Sequence, residues 1–318
     1  MSPRCGNSSA AEMARGRLTL LSAAERRYCE PLLASFAARH PAVELDFVFG
    51  ISTSLHQRFL AELAAGDATA DLIWSSAMDL QMGLVLQGEA QPHGVAHGLP
   101  HWAAYRDLAL STTAEPIVTL MRGPPAPAGT PGELAALLRA QAPRFRGQVV
   151  VPDIEANGLG FLSMLRWSLE APEFGAMLDA LAAVAPRPVG SIGQLAAAME
   201  QGAGLGLHVL GAYAARAAAA HPDLSVAPSA APPAAVARVA FIPRRAANPE
   251  AAAAFLAHLV SPEGQAALGA AGLYPLLGAA AQPVSSIALD QGFERLLDPA
   301  NREAMLSSWR EAVGRKHA

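Results

Sequence analysis

The first 88 residues repeat one pattern three times: a short apolar run, a turn of small or hydroxyl residues, and apolar residues at helical spacing. The apolar runs are RLTLLSA from Arg17, VELDFVFG at 43–50 and DLIW at 71–74, and the second helical stretch ends at Gly66. Three successive strand-to-helix units predict a parallel sheet with right-handed crossovers. In such open sheets, ligands bind in the crevice at the carboxyl ends of the strands.

Hydroxyl residues stand at the carboxyl ends of all three predicted strands. Ser22 follows the first strand, Ser52 and Thr53 the second, and Ser75 and Ser76 the third. Such a residue can simply cap a helix, because its side-chain oxygen satisfies an orphan amide of the first turn. Alternatively, hydroxyls and exposed amides at helix N-termini form a site for phosphate, carboxylate or another anion. The recurrence in each unit keeps both interpretations open.

Three further positions have a structural and a functional interpretation. Trp74 ends its strand, where a place in the core is favoured over a place in the crevice. The NGLG stretch with Asn157, Gly158 and Gly160 follows a strand and opens a helix, so its glycines could let a ligand approach the backbone; it lacks the GxGxxG spacing of a dinucleotide site. Tyr213, just beyond another strand, could offer a phenol to a ligand or pack over the start of a helix.

The chain length and the order of the elements predict two lobes. A length of 318 residues suits two domains of roughly 150 residues each. The extended stretch LALSTTAEPIVTLM at 108–121 predicts a crossing into a second lobe, and 224–243 predicts the return. We therefore expect an α/β fold of two mostly parallel sheets flanked by helices, with a ligand cleft between them that closes by a hinge. The predicted division is a disordered tail (1–16), a first lobe (17–110 with the returning segment 236–318) and a second lobe (111–235).

Composition and motifs exclude several classes of function. A net charge of −4 and the absence of a Lys/Arg run argue against a nucleic-acid partner. No GxSxG, HExxH or P-loop motif occurs, so the sequence predicts neither an enzyme nor a bound cofactor. There is no cysteine and histidine cluster with zinc spacing, and Cys5 and Cys29 are expected to be free thiols. Neither a secretory signal nor a segment of transmembrane length is evident.

Three long stretches resemble one protein family: FAARHPAVELDFVFGISTSLHQRFLAELAAGDATADLIWSSAMDLQMGLVLQGEA, GQVVVPDIEANGLGFLSMLRW and VAFIPRRAANPEAAAAFLAHLVSPEGQAALGAAGLYPLL. They are similar to bacterial extracellular solute-binding proteins of ABC importers, in the branch that includes ferric-iron and phosphoglycerate-like binding proteins. The resemblance implies two α/β lobes that close on a solute outside the inner membrane. It also implies a periplasmic monomer that delivers the solute to membrane permease subunits.

The resemblance also implies a set of ligand-binding residues. By position these are Ser22, Ser52, Thr53, Ser75, Ser76, Asn157, Gly158 and Tyr213. Iron-binding members use two neighbouring tyrosines, whereas Tyr213 stands between Ala212 and Ala214, and ferric iron prefers several hard anionic oxygens. The expected ligand is therefore a small anion, a phosphorylated or carboxylated metabolite, with ferric iron second and Tyr213 its only candidate ligand. The alternative is a cytoplasmic ligand sensor or an enzyme that reuses the same fold.

Overall fold

The computed structural model describes residues 14–228, 235–278, 287–289 and 291–313. Most of the predicted tail, residues 1–13, and with it Cys5, lies outside the described residues. The first strand already begins at Gly16, which pairs with Val43. Cys29 is buried and forms no disulfide among the described residues. No helix within the described ranges is long and apolar enough to cross a membrane.

The described residues form twelve strands, which the following ranges define in chain order. They are β1 (Gly16–Ser22), β2 (Val43–Phe49), β3 (Leu72–Ser75), β4 (Ala104–Tyr105), β5 (Ala109–Ser111), β6 (Glu115–Arg122), β7 (Val149–Pro152), β8 (Arg187–Val189), β9 (Leu205–Leu210), β10 (Leu224–Pro228), β11 (Ala235–Val236) and β12 (Val239–Phe241).

Twelve α-helices alternate with these strands within the same described residues. They are α1 (Glu30–Arg39), α2 (Ser52–Ala65), α3 (Met78–Leu86), α4 (Pro131–Ala140), α5 (Ala142–Phe145), α6 (Gly158–Glu170), α7 (Phe174–Ala183), α8 (Ile192–Glu200), α9 (Gly211–Ala220), α10 (Pro249–Leu259), α11 (Pro262–Ala270) and α12 (Pro299–Val313). Local signals explain several of their ends. A glycine with a φ of 79°, Gly66, ends α2, and a capping box at Thr130 starts α4.

The first sheet has the strand order β2-β1-β3-β12-β5-β4. Strand β1 pairs in parallel with both β2 and β3, which confirms the parallel arrangement predicted from the three repeated units. Strand β12 follows the strands of the second sheet in the chain and pairs antiparallel with β3 and β5, so the first sheet is mixed. In this register Ser22 lies opposite both Phe49 and Trp74, so the carboxyl ends of the three parallel strands meet at one edge.

The second sheet has the strand order β10-β6-β9-β7-β8, with β11 paired to β6. Two short links, 112–114 and 237–238, join the two sheets. They run side by side, because the Thr112 amide donates to the Arg238 carbonyl and the Arg238 amide donates to the Thr113 hydroxyl. Two adjacent links of two or three residues are the kind of connection that a hinge needs.

The terminal helix differs from the expected division of the chain. The sequence places the whole of 236–318 with the first lobe, but α12 packs against α6 and α7 beside the second sheet. Its apolar residues Met305 and Trp309 are buried there, which explains the choice of partner. Strand β8 forms one edge of the second sheet, and helix α8 follows it next to the cleft. The sequence patterns predicted neither element.

Candidate functional site

A small enclosed space of about 30 Å³ lies between the two sheets, and we call it the cleft cavity. Its first wall, from the first sheet, consists of Ala23, Glu25, Phe49, Gly50, Ile51, Ser52 and Ser76. Its second wall, from the second sheet, consists of Asn157, Leu159, Gly190, Ser191, Ile192, Gly193, Leu210 and Tyr213. Arg238, from the link 237–238, completes the lining.

Five helices begin at the cleft cavity. Helix α2 starts at Ser52, and α3 starts two residues after Ser76. From the second sheet, Asn157 caps α6, Ser191 caps α8, and α9 follows Leu210. A helix N-terminus carries a partial positive charge and unsatisfied amides. The convergence of five such ends makes the cavity an environment that favours negative charge.

The predicted hydroxyl residues separate into two groups. Ser52 and Ser76 line the cleft cavity. Thr53 lies next to it and donates to the Ala156 carbonyl across the cleft at 2.8 Å. Ser22 and Ser75 do not line the cavity, because both are buried and accept a hydrogen bond from the amide two residues ahead, at 3.1 Å and 3.2 Å respectively. In these two serines the hydroxyl makes a local turn hydrogen bond, and their predicted ligand role stays a prediction.

The NGLG turn forms part of the second wall, but its two glycines have different roles. The Asn157 side-chain oxygen caps α6 by accepting from the Gly160 amide at 2.8 Å. The Gly158 amide donates to the Ser52 hydroxyl at 3.0 Å, which ties the two walls together. A side chain at Gly160 would collide with Pro152, so this glycine allows α6 to pack on β7 and does not line the cavity.

The two aromatic candidates also differ. Trp74 lies in the core, fully buried, and its indole nitrogen donates to the Thr112 hydroxyl at 2.9 Å. Tyr213 does line the cavity, and its ring stacks on Tyr28 with centroids 4.0 Å apart. Burial raises the pKa of the Tyr213 phenol, so the group is protonated at neutral pH.

Sequence reasoning missed Arg238, the buried cation of the site. Its side chain is 1% exposed, and Nε lies 2.5 Å from the Glu115 carboxylate, which is completely buried. Burial alone would lower the pKa of the guanidinium, but Glu115 and the other nearby acidic groups raise it overall. Arg238 is the only charged residue in the apolar stretch AAVARVAFIP, and this isolation is a signal that could have identified it.

Two more parts of the lining were missed as well. Glu25 follows the first strand by three residues and lies in the first wall. The stretch from Gly190 to Gly193, with the sequence GSIG, forms the start of α8, where the Ser191 hydroxyl accepts from the Gln194 amide. A serine between two glycines before a helical pattern could have indicated this turn. No group of three or more His, Cys, Asp or Glu residues suited to a metal occurs within the described ranges.

Comparison with known proteins agrees with this architecture. Residues 18–274 match the family model described as bacterial extracellular solute-binding protein. The substrate-binding protein of an ABC transporter from Agrobacterium tumefaciens is similar in structure, with 26% identity, a TM-score of 0.88, and coverage of 97% of this chain and 96% of that one. Comparison with curated proteins gives no significant match.

Two more distant structures show the same fold. The periplasmic binding protein AfuA from Actinobacillus pleuropneumoniae, with fructose-6-phosphate bound, has 15% identity and a TM-score of 0.74, covering 95% of this chain and 100% of its own. Iron-bound HitA from Pseudomonas aeruginosa has 17% identity and a TM-score of 0.69, covering 93% and 99%. The family match spans most of the chain, and the Agrobacterium tumefaciens structure matches nearly all of both chains. The chain therefore belongs to the bacterial extracellular solute-binding proteins of ABC transporters, with their two-lobed α/β fold.

Proposed function

We propose that this solute-binding protein captures a small oxyanion, a phosphorylated or carboxylated metabolite, in the cleft cavity. The observation that carries the proposal is the meeting of five helix N-termini with the buried cation Arg238. Hydroxyls of Ser52 and Ser76 and the Asn157 amide add neutral hydrogen-bonding groups to the same lining. Fixed amides, hydroxyls and a guanidinium together are the groups that bind phosphate or carboxylate oxygens well.

Contacts between the walls support closure by a hinge. The Ser52 hydroxyl accepts from the Gly158 amide, and the Thr53 hydroxyl donates to the Ala156 carbonyl. The start of α2 therefore contacts the turn before α6 directly. The cavity volume of about 30 Å³ is far below the roughly 300–1,000 Å³ of a typical ligand pocket. A metabolite therefore needs the walls to be further apart, and the lobes would close on it through contacts to both sides. We place the boundary between the lobes at the links 112–114 and 237–238.

An oxyanion is favoured over ferric iron by the charges at the site. Ferric iron prefers several anionic oxygen ligands, but the lining offers one carboxylate, that of Glu25, and burial raises the pKa of its one phenol, that of Tyr213. Arg238 places a positive charge in the same cavity, where it repels a metal cation and attracts an anion. Ferric citrate is nevertheless a useful probe, because a chelate brings its own carboxylates.

Proteins of this family bind small ligands and work with membrane permease subunits. We propose that this chain does so outside the inner membrane, as a monomer and without chemical turnover of the ligand. Incubating a binding probe with the protein and recovering it unchanged by chromatography is the expected result. Conversion of the probe would favour the enzyme alternative instead.

Thermal shift followed by titration calorimetry tests the ligand class. The probes are inorganic phosphate, glycerol 1-phosphate, succinate, ferric citrate and glucose. A probe that binds only the folded state adds about 2.7 kcal/mol of stability at 100 times its Kd. We expect a phosphate or carboxylate probe to raise the unfolding midpoint, whereas glucose does not. Midpoints unchanged by every phosphate and carboxylate probe would overturn the proposal.

A paired substitution tests the role of Arg238. The double variant Arg238→Met/Glu115→Gln removes both charges, because deleting one partner alone leaves an uncompensated buried charge. We expect the double variant to fold and to bind the anionic probe at least about 100-fold more weakly, since charge-assisted contacts are the strong ones. The matched control is Arg166→Met/Glu170→Gln, a partly exposed pair on α6. Equal affinity of both double variants for the probe would contradict the assignment.

A further inference from the structure

Glu25 places a carboxylate in the first wall of a cavity that otherwise favours anions. Its side chain is 23% exposed, and its Oε2 contacts Nε of Arg27 at 2.7 Å. Its Oε1 points across the cavity to Gly193 in the second wall, at the position that a Cβ on that glycine would take. A carboxylate held in this way is a feature of the site that binding of a simple anion does not explain.

The cavity therefore has two poles of opposite charge. Arg238 forms the positive pole at the link between the sheets, and Glu25 forms the negative pole at the first wall. Tyr213 lies within electrostatic reach of both: burial raises the pKa of its phenol most, Arg238 opposes that rise and Glu25 adds to it. A ligand in this space meets both charges at once.

The chemistry of a carboxylate limits what can lie against Glu25. An ionised carboxylate only accepts hydrogen bonds, and a second anion close to it is repelled. A ligand group that contacts Glu25 is consequently favoured if it is a hydrogen-bond donor. The oxyanion must lie at the other pole, near Arg238 and the starts of α3 and α6.

We propose that Glu25 is a specificity-determining residue that selects oxyanions carrying a hydroxyl or ammonium donor. This inference rests on the proposed oxyanion function and narrows it to bifunctional ligands, such as phosphorylated polyols or amino compounds. Gly193 is the complementary feature, because any side chain there would displace the carboxylate from its position.

A different role for Glu25 makes a distinguishable prediction. A carboxylate near the start of α8 would also stabilise the closed cleft through the helix dipole, whatever ligand is present. In that case removal of the charge of Glu25 weakens the binding of every ligand by the same factor. If Glu25 selects a donor, removal of its charge instead changes the ratio between the affinities for donor-bearing and donor-free ligands.

Titration calorimetry with matched probes tests the proposal. The donor-free probes are ethyl phosphate and propionate, and their donor-bearing counterparts are phosphoethanolamine, glycerol 1-phosphate, β-alanine and glycerate. In the wild-type protein we expect a donor to strengthen binding by at least about tenfold, the scale of one hydrogen bond to a charged group. In Glu25→Gln this ratio should fall to within about threefold of unity. The control Glu30→Gln, an exposed glutamate paired with Arg26, should leave it unchanged.

Gly193→Ala provides a second variant that keeps the carboxylate but moves it. It should lower the same ratio, so the proposal stays testable even if Glu25→Gln folds poorly. An unchanged ratio in both variants, or a uniform loss of affinity across all probes, would overturn the proposal. If ethyl phosphate or propionate still binds in an Arg238-dependent manner, the oxyanion function survives that outcome. If no probe binds, both proposals fall.

Discussion

The two walls of the cleft cavity are built differently. The first wall presents the charged side chain of Glu25 and the hydroxyls of Ser52 and Ser76, whereas the second wall includes two glycines, Gly190 and Gly193. Gly158, Gly190 and Gly193 all lie in the second sheet's half of the cleft. A Cβ built on them would meet residues from the first sheet's side of the cleft, respectively Ala77 at 2.5 Å, Ile51 at 3.1 Å, and the Glu25 carboxylate.

Under the proposed function, this difference gives the two walls separate roles in ligand binding. Glycines without side chains let the start of α6 approach the opposite wall closely, and amides at a helix start bind anions without regard to the rest of the ligand. Side chains on the first wall vary in charge and hydrogen-bonding capacity, so they distinguish one ligand from another. Under the proposed oxyanion function, the second wall would help to attract the oxyanion, and the first wall would help to select among ligands.

The largest expected effect comes from the ion pair that lies between the walls. Glu115→Gln leaves the charge of Arg238 buried without its partner, which should lower the free energy of unfolding by about 3–5 kcal/mol. Urea unfolding followed by circular dichroism measures the loss. Inorganic phosphate should recover more stability in Glu115→Gln than in wild type, because an anion now compensates the guanidinium. If Glu115→Gln has the same free energy of unfolding as the wild type, Glu115 and Arg238 are not energetically coupled.

A buried histidine behind the second wall predicts loss of stability in acid. His208 in β9 packs edge-to-face on Trp167 of α6, and its Nε2 has no hydrogen-bond partner among the described residues. Burial lowers the pKa of His208 from 6.5 to about 4. The neutral form is favoured in the fold, so its contribution is complete above pH 6.5 and is lost as the pH falls towards 4. The loss amounts to roughly 3 kcal/mol.

The pH dependence of unfolding measures this loss. His208→Asn removes the titrating group, and asparagine tolerates the φ of 52° at this position. The slope of stability against pH between 4 and 6.5 should become shallower in this variant. Part of the slope remains, because burial also lowers the pKa of His40, His56, His93 and His258. An unchanged slope would show that His208 is not the main acid-sensitive group.

A side chain on the second wall should prevent full closure. In Gly158→Ala the new Cβ would lie 2.5 Å from the Cβ of Ala77, so the walls must separate. Overpacking of this kind costs about 1–3 kcal/mol, which corresponds to roughly 5- to 150-fold weaker binding of the anionic probe. The clash exists only when the cleft is closed, so the ligand-free unfolding midpoint should change little. Calorimetry and small-angle scattering with and without the probe measure affinity and closure.

Gly175 of α7 provides the matched control for that substitution. A Cβ there meets nothing within 4 Å, so Gly175→Ala should keep both affinity and closure. Gly190→Ala is expected to be intermediate, since its neighbour at 3.1 Å is the flexible end of Ile51. If Gly158→Ala binds the probe as tightly as Gly175→Ala, close approach of the second wall is not needed for capture.

Sequence patterns predicted the local parts of this structure and missed the contacts between distant segments. The strand and helix of each repeated unit, and the turns at Ser52 and Ser76, follow from periodicity and capping chemistry over a few residues. The Ser52 contact with Gly158 spans 106 residues, and Arg238 pairs with Glu115 over 123 residues. No local pattern encodes which hydroxyl or charge meets the other wall, because closure of the lobes decides it.

The smallest expected effect distinguishes the neighbouring serines of the first wall. Ser75 is buried and its hydroxyl accepts from the Ala77 amide, whereas Ser76 lines the cleft cavity. Ser75→Ala should therefore lower the free energy of unfolding by about 1 kcal/mol, the value of one local cap, and leave affinity for the anionic probe unchanged. Ser76→Ala should instead leave the free energy of unfolding unchanged. It should weaken binding of the anionic probe by roughly 3- to 10-fold, the loss of one neutral hydrogen bond. Because the two residues are adjacent and chemically identical, each serves as the control for the other. The opposite pattern, with affinity lost in Ser75→Ala and kept in Ser76→Ala, would contradict this assignment. It would mean that ligand binding changes the conformation of the first wall and exposes Ser75.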